Sequence, residues 1–166
     1  IVFGDWSSDV CSSDLTGFYG ELKMAKQELD TRFAKFGTVS FASVTQVNDF
    51  IGHLESGKLM GTRCKDCGKH FFPPRAHCYQ SLSGNMEWFE VTGKGKLVSY
   101  STLQYAPTGF TDDLPYTIAL VDYGDYKVFG RIDRSVPAGE LSVGMEMKAV
   151  VSKTSNDKLT YVFQKA

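Results

Sequence analysis

Two stretches of one outline, Cys64-Lys65-Asp66-Cys67-Gly68 and Cys78-Tyr79-Gln80-Ser81, constrain this chain more than any other feature. Two thiols two residues apart, followed by a glycine, form a knuckle: a tight turn that points both sulfurs at one metal ion. A second pair of thiols at the same spacing would complete a C-x2-C-x10-C-x2-C zinc-ribbon signature. Here the last position is Ser81, so the pattern reads C-x2-C-x10-C-x2-S. A neutral serine hydroxyl is a poor zinc ligand. The residues leave three outcomes open: a ribbon held by aromatic packing with no metal, a site completed by His70 or His77, or a fourth position filled by water. His77 directly precedes a ligand, so its side chain is expected to point away. Weakened zinc binding through Cys64, Cys67 and Cys78 is the expectation, with Ser81 at the fourth position.

Around the knuckles the chain reads as short strands. Lys58 to Arg63 leads in, His70-Phe71-Phe72 leads out, and Asn85 to Val91 returns. Pro73-Pro74 breaks the pairing before Cys78. Phe71, Phe72 and Trp88 are expected to cover the sides of this ribbon. From Gly93 five β-prone runs follow: 97–105, 116–123, 127–132, 145–151 and 159–163. Asp122-Tyr123-Gly124-Asp125 is a hairpin signal, and polar Ser155-Asn156-Asp157 joins the last two runs. Five short strands, the first long enough to bend across two sheets, predict an OB-type barrel.

Upstream, Ala25, Leu29, Phe33 and Phe36 fall at helical spacing, which fits a short amphipathic helix or an arm that folds on a partner. Gly37 ends it, and Thr38 to Val44 reads as extended. Thr45 is expected to cap a helix with Val47, Phe50, Ile51 and Leu54 on its apolar face, stopped by Gly57. The expected fold class is mainly β: short N-terminal helices, a rubredoxin-like zinc ribbon, then a five-stranded OB-type barrel. The expected divisions are a helical segment at 24–57, a degenerate ribbon at 58–92 and the barrel at 93–166.

Residues 1–23 stand apart. Asp5 to Leu15 is dominated by serine and aspartate without periodicity, and it reads as a translated sequencing-library adapter, with Met24 as the expected start. It has neither the basic start nor the apolar middle of a signal peptide. The formal net charge of −1 becomes about +2 once residues 1–23 are set aside. A general nucleic-acid binder carries a strong basic excess, so this balance disfavours that class. No apolar run is long enough to span a bilayer. Three remaining cysteines, two in a knuckle, suit a reducing compartment, and the cytoplasm is the expected location.

The string Arg63-Cys64-Lys65-Asp66-Cys67-Gly68, Phe72-Pro73-Pro74-Arg75, Cys78, Trp88, Gly93-Lys94-Gly95-Lys96-Leu97-Val98-Ser99-Tyr100-Ser101, Pro115-Tyr116 and Phe129-Gly130-Arg131 resembles the zinc-ribbon/OB-fold acyl-CoA-associated family. The resemblance covers about residues 46–166 and is specific as a set. It implies a non-catalytic partner of a thiolase or a related condensing or aldolase enzyme, one that helps bind and present a coenzyme A thioester. It also implies zinc in the ribbon, and here Ser81 departs from the family's pattern.

Several residues are candidates for contact with coenzyme A. Arg75 follows two stiffening prolines, and its guanidinium matches phosphate geometry; a solvated arginine is the alternative. Lys94 and Lys96 with their glycines could cradle a phosphate, or could mark the start of a bent strand. Phe110 tips the 105–110 loop beside Asp112-Asp113 and either folds back on the barrel mouth or meets the pantetheine arm or a partner. Arg131 reads as a surface or interface charge. His53 reads as a surface histidine, and no nucleophile elbow or acid–base pair can be assembled. The alternative function is a nucleic-acid-binding module, since OB barrels with stacking aromatics serve that role. A third reading is a self-standing zinc hydrolase with an open three-thiolate site. Docking on the enzyme is expected through the helix at 46–56 and the ribbon.

Overall fold

The computed structural model describes residues 30–37, 45–107, 109–154 and 156–166. The readings for residues 1–23, for 24–29 including Met24, and for Thr38 to Val44 lie outside the described residues.

The ribbon is a three-stranded antiparallel sheet of β1 (Met60–Cys64), β2 (His70–Phe71) and β3 (Met86–Glu90), with β1 in the centre. Gly61 lies opposite Phe89 in the register. A β-carbon on Gly61 would stand 2.6 Å from the Phe89 ring and 2.7 Å from the Phe71 carbonyl, so the outer strands close on β1 only because a glycine is there.

The second unit is a closed barrel of β4 (Gly95–Leu103), β5 (Tyr116–Asp122), β6 (Lys127–Ile132), β7 (Glu146–Lys153) and β8 (Leu159–Lys165), in the order β4-β5-β6-β8-β7. β4 pairs with β5 along most of its length and with β7 only at Gly95 and Lys96, and a bulge between Leu97 and Ser99 lets it turn from one to the other. This is the bent first strand that the long run predicts. Alternate side chains fill the interior: Leu97, Ala119, Val121, Val128, Met147 and Phe163 are at most 1 % exposed. Each such burial stabilises the fold by about 1.5–3 kcal/mol for the larger side chains. Closure also removes the exposed strand edges that invite aggregation. β6 and β8 are parallel and pair only at Arg131 with Val162 and Ile132 with Phe163, which leaves that flank splayed.

The helix α1 (Asp49–Glu55) buries Phe50, Ile51 and Leu54. Its end matches expectation: Gly57 has φ +79, its amide donates to the Leu54 carbonyl, and the Lys58 amide donates to that of His53, the paired bonds of a Schellman stop. Its start does not. The N-cap is Asn48, without a side-chain capping bond. Thr45 instead shapes the turn before the helix: its hydroxyl accepts from the Val47 amide and its carbonyl from the Asn48 side chain.

Three further expectations are corrected by tertiary packing. The described part of the upstream arm is a 3-10 turn, Arg32–Lys35, not an α-helix. Phe33 and Phe36 pack on Phe50 with ring centroids 6.4 and 5.7 Å apart, and Phe36 also lies against Tyr161. Those rings serve the chain's own core. Phe72 and Trp88 join the core shared by helix and barrel rather than covering the ribbon, where of these three rings it is Phe71 that packs with Cys64 and Cys78. Because α1 buries its apolar face internally, that face is not free for a partner.

Candidate metal centre and barrel groove

Cys64 ends β1, and the first knuckle folds back through a Gly68 amide bond to the Cys64 carbonyl of 2.8 Å. The second knuckle closes with the Cys78 amide donating to the Ser83 carbonyl at 2.9 Å. Each turn needs a left-handed residue just after its last donor. The first uses Gly68, φ +75, and the second uses Leu82, φ +56, a conformation that costs a leucine about 1–2 kcal/mol.

The turns bring Cys64, Cys67 and Cys78 together, with all ligand atoms within 4.8 Å of one another. The Cys67 and Cys78 sulfurs are 3.5 Å apart. Ser81 Oγ lies 3.2 Å from Cys64 Sγ, and the Ser81 amide donates to Cys78 Sγ at 3.5 Å. Ser81 thus stands at the fourth corner. Neither histidine replaces it. The His70 ring meets Phe89 edge-on at 4.9 Å and lies 5.9 Å from Tyr126, and His77 lies over Gly84. Completion of the site by His70 or His77 is therefore corrected.

The Ser81 hydroxyl, with the Ser81 and Gln80 amides, holds the Cys78 thiol down to about 6. At Cys67 the Lys69 amide pulls the other way, but desolvation and the Cys78 and Cys64 thiols outweigh it and leave Cys67 raised. Three thiols fit a soft ion and the hydroxyl does not. Zinc, where bound, would be held by Cys64, Cys67 and Cys78 and would supply a structural cross-link between the knuckles.

A groove of about 720 Å³ runs along the splayed flank between β6 and β8, with Phe110, Asp113, Tyr116, Arg131, Arg134 and Tyr161 among its walls. Arg131 is its centre. Its Nη1 donates to Asp113 at 2.7 Å, and the guanidinium lies 5.1 Å from the Phe110 ring and 4.4 Å from that of Tyr116. Arg134 reaches the same carboxylate at 3.6 Å. The Arg131 side chain is 26 % exposed, so the charge read as surface or interface is a part-buried, paired one on the groove wall. Next to it, Gly130 makes room for the Tyr161 ring: a β-carbon there would stand 2.8 Å from that ring. Phe110 folds back on the barrel, as one of its two readings had it.

The other candidates lie elsewhere. Arg75 borders a second cleft of about 230 Å³ on the ribbon, with Thr62 and Trp88. The buried Thr62 hydroxyl accepts from the Arg75 amide at 2.8 Å and donates to its carbonyl at 2.9 Å, which anchors the segment after the prolines. The Arg75 guanidinium lies over Phe71 and Tyr79. Lys94 pairs with Glu146 at 3.0 Å, and Lys96 lies at the opposite end of β4 from Leu103, the residue of that strand on the groove. Of the four candidates only Phe110 reaches the groove. Arg131, Asp113 and Arg134 were missed as a set. The available signal was Arg131 directly after a glycine in a strand, a pattern that marks close approach. His53 packs edge-on against Trp88 at 5.0 Å.

Residues 52–87 match a family profile described as "ChsH2, rubredoxin-like zinc ribbon domain", and residues 88–152 match "ChsH2, C-terminal OB-fold domain". A relative from Methanocaldococcus jannaschii, described as a DUF35 domain-containing scaffold protein, is 33 % identical over 101 residues, 60 % of this chain and 71 % of the relative. One of the same description from Pyrococcus furiosus is 33 % identical over 109 residues, 65 % of this chain and 79 % of the relative. A solved structure named Ltp2-ChsH2(DUF35) aldolase shares the fold, with a TM-score of 0.62 at 20 % identity over 74 % of this chain and 97 % of that one. The knuckle pair, the ribbon-then-barrel order and these matches establish that the chain belongs to the ChsH2-type, DUF35 family of zinc-ribbon and OB-fold proteins.

Proposed function

We propose that this protein is a non-catalytic accessory subunit that handles a coenzyme A thioester while docked on a thiolase-type enzyme or a related condensing or aldolase enzyme. The reactive nucleophile belongs to the partner. The observation that carries this reading is the groove, where a guanidinium held between two aromatic rings sets a fixed cation beside an apolar wall. Coenzyme A presents the matching chemistry: phosphates, a flat base and a long amide arm. The scaffold description of the curated relatives and the aldolase named in the solved neighbour support the accessory role.

On this reading Phe110 and Arg131 meet the ligand in the groove, and Arg75 offers a second phosphate contact on the ribbon. Lys94 and Lys96 add long-range charge. Docking falls to the ribbon surface, where Tyr79 and Leu82 are 57 % and 83 % exposed. Among the described residues no helix is long and apolar enough to cross a membrane, and the free thiols suit a cytoplasmic location.

The test is calorimetric titration of the purified protein with acetyl-coenzyme A and, separately, single-stranded DNA at low salt. The expected result is thioester binding that weakens about tenfold in Phe110→Ala and Arg131→Ala, a change of about 1.4 kcal/mol. Tight DNA binding without thioester binding would transfer the groove to the nucleic-acid reading. Thioester turnover by the isolated chain would overturn the accessory role.

A further inference from the structure

We infer that the three-thiol centre is an open metal site whose fourth position takes a small alkyl thiolate from solution. The inference stands on the knuckles alone and does not rest on the groove or on the accessory role.

The four corners are unequal in chemistry and in exposure. Cys64 and Cys78 are 0 % and 1 % exposed, and their sulfurs are sealed beneath Phe71 and Met86. Cys67 and Ser81 face solvent. The weakest donor therefore sits on the open side. A neutral hydroxyl competes poorly with a thiolate for a borderline-soft ion. Ser81 Oγ is held in its corner by a 3.2 Å contact to the Cys64 sulfur, and rotation of one exposed side chain clears the position.

No other group of the chain is placed to close it among the described residues. His70 is committed to the Phe89 and Tyr126 rings. His77 lies over Gly84. The Asp66 carboxylate accepts from the Asn85 side chain at 3.0 Å and lies outside the thiol cluster. The exchange needs no oxidant: the incoming thiol gives up its proton to solvent, its sulfur takes the fourth position, and the hydroxyl or a water leaves.

Cobalt(II) reports the number of sulfur ligands through its charge-transfer absorbance. The full chain is loaded with one equivalent of cobalt in a phosphine reductant, so that no competing thiol is present. Free coenzyme A or 2-mercaptoethanol is then added, with acetyl-coenzyme A as the capped control. The expected result is a rise of about one third in charge-transfer absorbance, the step from three sulfurs to four. By reciprocity the thiol also tightens metal retention against a chelator, by about tenfold. Acetyl-coenzyme A leaves both unchanged. Ser81→Ala responds as the native chain does, and Ser81→Cys starts at the higher absorbance and ignores thiol. Native bands that ignore thiol, native bands already at the Ser81→Cys level, or no cobalt bound at one equivalent would each overturn the inference. Any of these leaves thioester binding in the groove, read by the Phe110→Ala titration, unaffected.

Discussion

The ribbon and the barrel are stabilised by different physics. The barrel closes on itself, and its interior residues belong to one contiguous apolar cluster that extends through α1 to Leu59 and Val91 at the base of the ribbon. The knuckle end of the ribbon has a core of Cys64, Phe71 and Cys78 with Met86 against it, beside a strand only two residues long. Burial on that scale is small beside that of the barrel, and a metal held by the three thiols, where bound, would add a cross-link of the kind that contributes on the order of 10 kcal/mol in small zinc modules. Ser81 therefore alters the unit that can least tolerate loss, while the unit that bears the groove is indifferent to it. The first knuckle, with Cys67 and Gly68, and the second, with Ser81 and Leu82, repeat the contrast in miniature.

The largest break in this comparison comes from the barrel interior. Phe163→Ala is expected to destabilise the barrel by about 3–5 kcal/mol, read as a lower denaturant midpoint of the barrel transition that is the same with and without chelator. A chelator-dependent midpoint would show that the two units are not separable in this way. Next is Gly95→Ala. Its β-carbon would fall 2.5 Å from Val121 Cγ1 and 2.8 Å from the Asp122 carbonyl, and overpacking of that kind costs about 1–3 kcal/mol. Circular dichroism melts should show the loss in the barrel signal.

The second knuckle offers a gain instead. Leu82 is held at φ +56 and is 83 % exposed, so Leu82→Gly loses little burial and relieves backbone strain. It is expected to stabilise the knuckle by about 0.5–1 kcal/mol, read as slower hydrogen exchange at the Cys78 amide. Faster exchange would mean that the leucine side chain supports the turn.

The last test concerns pH. Cys78 falls from an ordinary value of 9.0 to about 6, first because of the Ser81 hydroxyl and then the Ser81 and Gln80 amides. A depressed acid contributes stability that is full above its unfolded value and is lost as pH falls through its folded value. In metal-free protein the second knuckle should loosen as pH drops from about 9 to about 6. The Cys78 Cβ shift, followed by NMR, should titrate near the lower value, and Ser81→Ala should move it upward. A midpoint that ignores the serine would remove the hydroxyl as the cause.

The strands were legible because each is a local pattern. β6 runs from Lys127 to Ile132 as the alternation indicates, and β5 and β7 differ from it only at their ends. The knuckle ligands were legible because the spacing that makes the turn is written in consecutive residues. The pairing of Arg131 was not legible, because its partner Asp113 lies eighteen residues away across a loop, and no periodicity connects them. Sequence proximity points Phe72 and Trp88 to the ribbon, whereas burial against α1 and the barrel decides where they go.

By itself the sequence determined what depends on neighbours along the chain: the two turns that gather three thiols and a hydroxyl, the left-handed stop after α1, and eight short strands. Only the tertiary structure decided that β8 closes the barrel beside β6 with two paired positions, that the flank beside them stays open as a groove, and that a buried carboxylate holds Arg131 there. The physical reason is range. Turn and strand preferences act over a few residues, whereas closure and charge pairing are settled by whichever distant surfaces can be buried together.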